Sequence, residues 1–340
     1  MMWRGAMIGR SRSLSVIAAL GVWAATAATA AAADFTMKIA FGTANDIQQQ
    51  WADWYKEEVE AQSKGRIAVQ IYPRAVLGTG PSMIQGTQLG TIQAYTSPTD
   101  FFAGIDPRFG VFAIPMMFKG REHAAKVILD PEINRAILGF GKDKGLQPVS
   151  VFTYSLANYC VKPSIRTIDD FKGKKLRVNA TPAERERMRL LGAAAVPMDL
   201  AEVIPGIQQG TIDGTMSGMA VYVNFKFNDI CKVITETGDT MIVSVGVLSS
   251  AWLDKLPPDL RKIVVEAGEN MQGRLNARSR EIEDQMIARW KTMGGDLVKL
   301  PEAELARMRT VLAPVGEAVT RDNALASTFY RQLRAVGEKH

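Results

Sequence analysis

Cysteine and histidine are scarce in this sequence. Each occurs twice in 340 residues, cysteine at Cys160 and Cys231 and histidine at His123 and His340. Two cysteines are too few for a disulfide-dense scaffold or a multi-cysteine zinc site. With one internal histidine the chain offers no pair of imidazoles at helical spacing, so neither histidine-based catalysis nor a metal site built on a histidine pair is expected.

Sequence motifs of common enzyme classes are missing as well. The Gly-Thr-Gly run at residues 78–80 is not followed by the Lys-Ser/Thr of a phosphate-binding loop, and no Gly-x-Ser-x-Gly motif occurs. Carboxylates are plentiful, but no spacing marks a catalytic pair. We therefore expect a protein that is not an enzyme and that uses no cofactor; the alternative is an exported enzyme on a two-lobed scaffold.

Basic runs interleaved with aromatic residues are absent, and no apolar run of 18 residues follows the N-terminal segment. Nucleic-acid binding is therefore not expected, nor is a membrane span in the mature chain. The hydrophobic share of 47% and the charged share of 22% are ordinary for a globular protein. A length of 340 residues fits two domains.

The first 33 residues have the composition of an export signal. Three arginines and no acid precede or flank an apolar run over residues 14–23, and a small-residue stretch ends at Ala33. A positive start, a short apolar core and small residues are what a signal peptidase requires, whereas the alternative, a membrane anchor, needs a longer apolar run. We predict a signal peptide over residues 1–33. Its removal leaves 38 basic and 35 acidic residues, a formal charge of +3.

An exported chain enters an oxidising compartment, where Cys160 and Cys231 can form one disulfide. The alternative is a pair of buried free thiols that pack as small hydrophobic side chains. The residues leave both alternatives open.

Strand and helix patterns alternate along the mature chain. Strands are predicted at residues 36–41, 66–72, 92–96, 147–153, 156–161, 174–178, 212–215 and within 233–247. Helices are predicted at residues 46–62, 81–89, 123–129, 132–139, 183–191, 201–209, 257–293, 302–319 with a break near Pro314, and 324–336. The first three elements form a β-α-β unit, which predicts an α/β fold with a mainly parallel sheet.

No Gly/Ser/Pro linker separates the two expected domains. Two domains without a linker indicate that the chain crosses between two lobes more than once. Such an architecture places a ligand in the cleft between the lobes and moves by hinge closure.

Three linked segments carry a family resemblance. They are DFKGKKLRV at residues 170–178, LGAAAVPM at residues 191–198 and EVIPGIQQGTIDG at residues 202–214. The chain resembles the periplasmic solute-binding proteins of tripartite ATP-independent periplasmic (TRAP) transporters, the family typified by C4-dicarboxylate binders. Further matching segments occur at residues 71–73, 77–78, 112–115 and 252–260.

The resemblance implies a two-lobed periplasmic binding protein fold with a long helix that spans both lobes. Lobe I is expected to cover residues 34–154 with a returning segment at 243–282, and lobe II residues 155–242 with C-terminal helices at 283–340. It also implies a periplasmic monomer that captures a small organic acid and delivers it to the membrane permease subunits of a TRAP transporter.

The resemblance also implies that Arg177 forms a salt bridge with the ligand carboxylate. A guanidinium in a short apolar strand suits that role, because it offers paired donors and would be costly to leave unpaired; the alternative is a structural salt bridge to an acid of the chain. A second arginine common in the family is replaced here by Ala157. We therefore expect a monocarboxylate, or an oxo or hydroxy acid, rather than a C4-dicarboxylate.

Other ligand contacts are expected from the same alignment. Sialic acid is not expected, because Ser217 and Pro98 stand where the binders of that acid have an asparagine and an acid. Candidates for an apolar wall are Phe101, Leu200 and Tyr222, and the alternative for the two aromatic residues is ordinary core packing. The further polar candidates are Asn45, Thr96, Ser97, Thr99, Tyr154 and Ser217.

Overall fold

The structure, a computed structural model, describes residues 33–179 and 181–340. The predicted signal peptide lies outside the described residues, apart from Ala33. Within the described ranges, no helix is both long enough and apolar enough to cross a bilayer.

One mixed sheet organises residues 33–340. In order across the sheet the strands are β2-β1-β3-β8-β4-β7-β5-β6, and β9 pairs with β8. The strands are β1 Phe35–Phe41, β2 Ile67–Tyr72, β3 Ala94–Pro98, β4 Leu146–Val161, β5 Lys175–Val178, β6 Ala194–Pro197, β7 Gly214–Ser217, β8 Val233–Ser249 and β9 Asp296–Lys299.

Helices cover both faces of this sheet. They are α1 Ile47–Gln62, α2 Gly80–Leu89, α3 Arg121–Leu129, α4 Pro131–Ile137, α5 Pro182–Leu190, α6 Leu200–Gln208, α7 Met219–Asn224, α8 Ser250–Leu253, α9 Pro258–Asn270, α10 Gln272–Thr292, α11 Glu302–Leu312, α12 Val315–Thr320 and α13 Ala324–Gly337. The predicted α/β fold is confirmed. The sheet is mixed rather than mainly parallel, because β4 and β8 pair antiparallel with each other and with β7 and β3.

The two longest strands, β4 and β8, connect the two halves of the sheet. The C-terminal part of β8 pairs with β3, whereas the C-terminal part of β4 pairs with β7. The sequence predicts β4 as two strands; the structure joins them into one strand of 16 residues with irregular register between Thr153 and Ser155 and between Leu156 and Asn158. Bulges of this kind bend a strand without ending it.

The sequence of α1 explains both its start and its buried face. Asp46 caps the helix, and its carboxylate accepts hydrogen bonds from the backbone N–H groups of Gln48 and Gln49. Trp51 and Tyr55, four residues apart, face the sheet and stack with their ring centroids 5.0 Å apart.

The predicted long helix over residues 257–293 is two consecutive helices, α9 and α10, that meet at Met271. At this junction Gln272 is buried, and its Oε1 accepts a hydrogen bond from the backbone N–H of Val151 in β4. α10 contacts both halves of the sheet: Arg278 donates to Gln50 of α1 at 3.3 Å, and Trp290 donates to the Asp296 carbonyl at 3.0 Å. The predicted helix that spans both halves is therefore α10.

The predicted break near Pro314 separates α11 from α12. Phe329 of α13 packs against Phe112 and Phe140, with ring centroids 5.6 and 4.8 Å apart. The last helix thus contacts the segment between β3 and β4 as well as the rest of the C-terminal region.

Candidate functional site

The carboxyl ends of the parallel strands β1–β3 and β5–β7 meet near the middle of β4 and β8. The loops that leave these ends contact each other across the two halves. Asn179, just after β5, donates to the Asp100 carboxylate at 2.8 Å, and Asn224 donates to the Ala44 carbonyl at 2.6 Å. Strand ends that converge in this way form the usual ligand crevice of an α/β protein.

Arg177 lies at this crevice and is 4% exposed. Leu176 and Val178 belong to the core beneath α5, so the alternation of the strand turns Arg177 to the other face. There its Nε donates to the carbonyl of Met198 at 2.9 Å. No carboxylate of the described residues lies within 4.0 Å of the guanidinium, so the structural salt bridge that was the alternative role is not formed with them.

The electrostatic setting of Arg177 suits an anion. Burial lowers its pKa, and the negative charges of Glu184 and Asp100 act in the opposite direction. A buried guanidinium that is attracted by acids but paired with none of them in direct contact retains donors for a ligand.

A small cavity of about 20 Å³, with room for about one water molecule, lies between the two halves on the α5 side of the sheet. Thr99 and Asp100 border it from the loop after β3, Glu184 and Arg187 from α5, and Met216 from β7. Residues 240–243 of β8 form another wall. Asp100 and Glu184 therefore face this cavity, and their charges also act on Arg177, which points to the opposite face of β5.

Arg187 is a cavity residue that the sequence analysis did not identify. It is fully buried, and its Nη1 lies 3.0 Å from Asp239 Oδ2 and 2.5 Å from Thr240 Oγ1. The sequence of α5, PAERERMRL, is strongly charged and predicts a solvated helix. Helical spacing could have predicted its burial. Arg187 and Glu184 are three residues apart and lie on the face of α5 that also carries the buried residues Ala183 and Met188.

A second, smaller cavity of about 10 Å³ lies on the α10 side of β4 and is bordered by Tyr154, Asp46 and Glu283. The Tyr154 hydroxyl donates to Asp46 at 2.9 Å. Burial raises the pKa of both side chains. Tyr154 is thus bonded within the protein, on a different side of the sheet from the cavity at Arg187.

The predicted polar contacts from β3 divide between the two faces. Ala94 and Tyr95 pack into the cores on opposite faces, so alternation places Thr96 on the α1 side and Ser97 on the α5 side. Thr96 is fully buried, and its hydroxyl has no partner among the described residues. Thr99 reaches the cavity itself.

Asn45 and Ser217 are also at the crevice. Asn45 is exposed in the loop after β1, with a φ of 54° that an asparagine tolerates. Ser217 ends β7, is 9% exposed, and pairs in register with Asn158 of β4. The structure therefore places both of them near the strand ends without direct contact to Arg177 among the recorded hydrogen bonds.

Of the candidates for the apolar wall, Tyr222 takes the alternative role of a core residue. Tyr222 is fully buried in the core of α7, and its hydroxyl oxygen lies 2.6 and 3.0 Å from the backbone carbonyl oxygens of Asn158 and Thr215, between which its one hydrogen is shared. It therefore packs as a core residue. Phe101 and Leu200 are partly buried and stay candidates. Ala157, which replaces the second arginine, is fully buried in the apolar core on the α5 side.

Cys160 and Cys231 are buried free thiols that lie near enough to perturb each other's pKa, and Cys231 Sγ donates to the Val233 carbonyl at 3.1 Å. Burial raises the pKa of Cys160, and the hydrogen bond from Cys160 lowers the pKa of Cys231. Their contact is compatible with either of the two alternatives from the sequence. Within the described residues, no three potential metal ligands cluster.

The fold and the crevice define a two-lobed binding protein in which long strands and a helix connect the lobes. The family model described as bacterial extracellular solute-binding protein, family 7 (DctP) matches residues 40–322. The chain belongs to this family, the solute-binding proteins of TRAP transporters.

Known relatives and structures agree with this assignment. A solute-binding protein of Verminephrobacter eiseniae is 29% identical over 287 residues, 84% of this chain and 85% of the relative. The 2,3-diketo-L-gulonate-binding periplasmic protein YiaO of Escherichia coli is 26% identical over 257 residues, 74% and 77% of the two chains. The sugar acid binding protein DctPAm of Advenella mimigardefordensis, solved in complex with galactonate, superposes with a TM-score of 0.84 at 22% identity, covering 89% of this chain and 98% of that one.

Proposed function

We propose that the protein captures a small organic acid in the periplasm and delivers it to the membrane permease subunits of a TRAP transporter, without chemical turnover. The observation that carries the proposal is the buried Arg177 guanidinium, which has no carboxylate partner within 4.0 Å among the described residues. An acid that enters the crevice supplies the missing partner.

Arg177 is proposed to hold the ligand carboxylate. Its Nε is already bonded to the Met198 carbonyl, which fixes the plane of the guanidinium and leaves the two terminal nitrogens for the ligand. Two parallel charge-assisted hydrogen bonds from these nitrogens orient a carboxylate as well as neutralise it.

The balance of charge favours a ligand with one carboxylate. Ala157 removes one expected cation, and Arg187 is paired with Asp239. Asp100 and Glu184 add negative charge beside the cavity. A second carboxylate on the ligand would face these acids without a free arginine to offset it. YiaO and DctPAm, whose names give 2,3-diketo-L-gulonate and a sugar acid as ligands, support an oxo or hydroxy monocarboxylate.

The proposed lobes have the boundaries expected from the sequence, residues 34–154 with 243–282 and residues 155–242 with the C-terminal helices. Arg177 belongs to lobe II and Asp100 to lobe I, so a ligand at Arg177 contacts or adjoins both. A ligand that bridges two lobes shifts their population towards the closed state.

The proposal is tested with a panel of carboxylic acids that contains galactonate, lactate, succinate and simple fatty acids. We expect at least one hydroxy or oxo monocarboxylate to raise the melting temperature, because a ligand that binds only the folded state stabilises it by mass action. Stoichiometric heat in a calorimetric titration, with the acid recovered unchanged, distinguishes binding from turnover. A thermal shift with no acid of the panel, or conversion of an acid, would contradict the proposal.

A further inference from the structure

The register of the sheet changes where β4 passes from one half to the other. Thr153 pairs with Val243 of β8 and Ser155 with Ile242, so β4 has one residue more than β8 at this point. The change coincides with boundaries of the proposed lobes, which fall after residues 154 and 242. Because an extra residue in one strand allows that strand to bend, this position is the natural hinge between the lobes.

The helix α10 covers the edge of β4 beside this bend. Among the described residues, β7 pairs only with residues 158–161 of β4, so the N–H groups that precede them on that edge need other acceptors. Three side chains of α10 supply these acceptors. The pairs are Gln272 with the N–H of Val151 at 3.0 Å, Asn276 with that of Thr153 at 2.9 Å, and Glu283 with that of Leu156 at 3.0 Å. Only the bond to Glu283 lies beyond the change of register.

The carboxylate of Glu283 has partners on both sides of the bend. Its Oε1 accepts the hydrogen bond from Leu156 and lies 2.5 Å from the hydroxyl of Ser155, and both partners belong to the proposed lobe II. Its Oε2 forms an ion pair with Arg121, the first residue of α3, in the proposed lobe I. The two oxygens are thus divided between the lobes.

Arg121 is fixed on the lobe I side. Its Nη1 donates to Ser279 at 2.6 Å and to the hydroxyl of Thr153 at 3.3 Å, and Ser279 donates to the Thr153 carbonyl at 2.6 Å. The side chains of Arg121 and Glu283 are only 10% and 11% exposed. Removal of one partner from such a pair leaves a poorly solvated charge, so the pair favours the arrangement that keeps both partners in place.

We propose that Glu283 is a positioning residue that clamps the hinge in the arrangement in which the crevice is closed, and that it thereby sets the affinity for the acid without contact to it. In the described structure the two halves meet across the crevice, and both oxygens of Glu283 are engaged. Rotation of lobe II about the bend moves Ser155 and Leu156 relative to Arg121. The carboxylate cannot keep all of these partners when the lobes separate.

This inference rests on the proposed function and predicts a distinctive pattern of affinities. A residue that changes only the population of the closed state changes the affinity for every ligand by the same factor. A residue that contacts the ligand changes the affinities for acids of different shape by different factors. The acids that bind to the wild-type protein in the panel distinguish the two roles.

Glu283→Ala removes the partners on both sides of the bend. In calorimetric titration we expect it to weaken every acid that binds by more than about threefold, and by one common factor. Glu283→Gln keeps an acceptor for Leu156 but loses the charge that pairs with Arg121, so its affinities should lie between those of Glu283→Ala and wild type. Factors that differ from acid to acid, or a loss of less than about threefold in Glu283→Ala, would overturn the proposal.

Glu281→Ala is the matched control. Glu281 lies on the same helix, is 62% exposed and pairs with Arg278. Its loss removes a carboxylate of the same kind without any bond to β4, and the variant should bind each acid as wild type does. A common loss of affinity in both variants would show that α10 responds to any change of charge, and the clamp would be refuted.

Hydrogen exchange of the wild-type protein provides a readout that does not depend on the folding of a variant. Saturating acid should slow exchange of the Leu156 amide more than that of the Val151 amide, because only the first bond lies beyond the bend. Equal slowing of the two amides would contradict the clamp.

If no acid binds to the wild-type protein, the proposed function fails, and the unliganded proteins decide the clamp separately. Small-angle scattering should then give a larger radius of gyration for Glu283→Ala than for wild type, and an unchanged one for Glu281→Ala. Equal radii for the three proteins would overturn the inference.

Discussion

Asn179 donates a hydrogen bond from Nδ2 to Oδ2 of Asp100 across 2.8 Å, and this bond connects the loop after β5 with the loop after β3. The two residues are 79 positions apart and belong to the two halves of the sheet. Asp100 is partly buried, and Glu184 adds to the negative charge near it. The contact between the two halves at this crevice therefore involves a carboxyl group whose protonation changes with pH.

Stability should depend on the protonation of Asp100. Burial and the charge of Glu184 raise its pKa from 3.8 to about 6. The pKa of Asp100 is higher in the folded than in the unfolded protein, so the protonated acid favours folding. The contribution of this acid to the free energy of unfolding is therefore highest below about pH 4, and it falls as the pH rises through about 6 and the buried acid ionises. Relative to wild type, Asp100→Asn should be equally stable at pH 4 and about 1–2 kcal/mol more stable at pH 7.5, after allowance for solvent screening.

Urea unfolding of both proteins at the two pH values measures this difference. Comparison of the two proteins at each pH cancels the titration of all other groups. A difference in unfolding free energy that is the same at pH 4 and at pH 7.5 would show that Asp100 titrates normally.

Closure of the lobes should be visible in solution. The acid that gives the largest thermal shift should reduce the radius of gyration in small-angle scattering, because the bridged state is the closed one. Asn179→Ala removes the bond to Asp100 and should increase the radius of the unliganded protein. An unchanged radius at saturating acid would contradict hinge closure.

Much of the fold follows from local patterns in the sequence. The strand β1, the cap at Asp46 and the apolar face of α1 are all determined by residues within a few positions of each other. The continuity of β4 is not, because its irregular positions between Thr153 and Asn158 are held by pairing with residues 236–243 of β8, far along the chain. In a single sequence, a bulge within one strand interrupts the apolar pattern in the same way as a loop between two strands, so the two structures cannot be told apart.

The residues of the site also differ in whether local sequence predicts them or distant contacts decide their position. Arg177 is predictable because a charge between Leu176 and Val178 in a short strand is unusual and the family motif contains it. Arg187 is not, because its burial depends on Asp239 from a strand about 50 residues further along the chain. For Tyr222 the sequence allows both a wall of the cleft and a core position, and the packing of α7 places its ring in the core.

The thiols of Cys160 and Cys231 are neighbours and should form one disulfide when the protein matures in an oxidising compartment. A thiol titration of denatured, unreduced protein purified from the periplasm should then find no reactive thiol, and two after reduction. The same titration on protein made in the cytosol is the control and should find two without reduction. Two thiols in both preparations would establish the cysteines as free.

The ion pair between Arg187 and Asp239 should be important for stability. Both side chains are 0% exposed, and Asp239 also accepts hydrogen bonds from Thr237 and Thr240. Asp239→Asn leaves a buried guanidinium without its counter-charge and should cost about 3–5 kcal/mol of unfolding free energy. The control is Asp169→Asn, which breaks an exposed pair with Arg307 and should cost less than about 1 kcal/mol. Similar costs for the two variants in denaturant unfolding would mean that water reaches Arg187.

The role of Arg177 is tested most directly by its removal. Arg177→Ala eliminates two charge-assisted hydrogen bonds and leaves the carboxylate of the acid without a counter-charge in a closed cleft. The loss of one partner of such a buried pair costs about 2–5 kcal/mol, or roughly 30-fold to several-thousand-fold in affinity. Arg177→Lys should restore only part of it, because an ammonium cannot present two parallel donors.

Folding should survive both substitutions of Arg177, since among the described residues the side chain makes one recorded hydrogen bond, to the Met198 carbonyl, and no ion pair. Arg166→Ala, at an exposed position in the same half of the sheet, is the control and should bind the acid as wild type does. Calorimetric titration of the three variants with the acid found in the screen decides the matter. If Arg177→Ala keeps its affinity to within about threefold, a change of well under 1 kcal/mol, the carboxylate is held by another residue of the crevice.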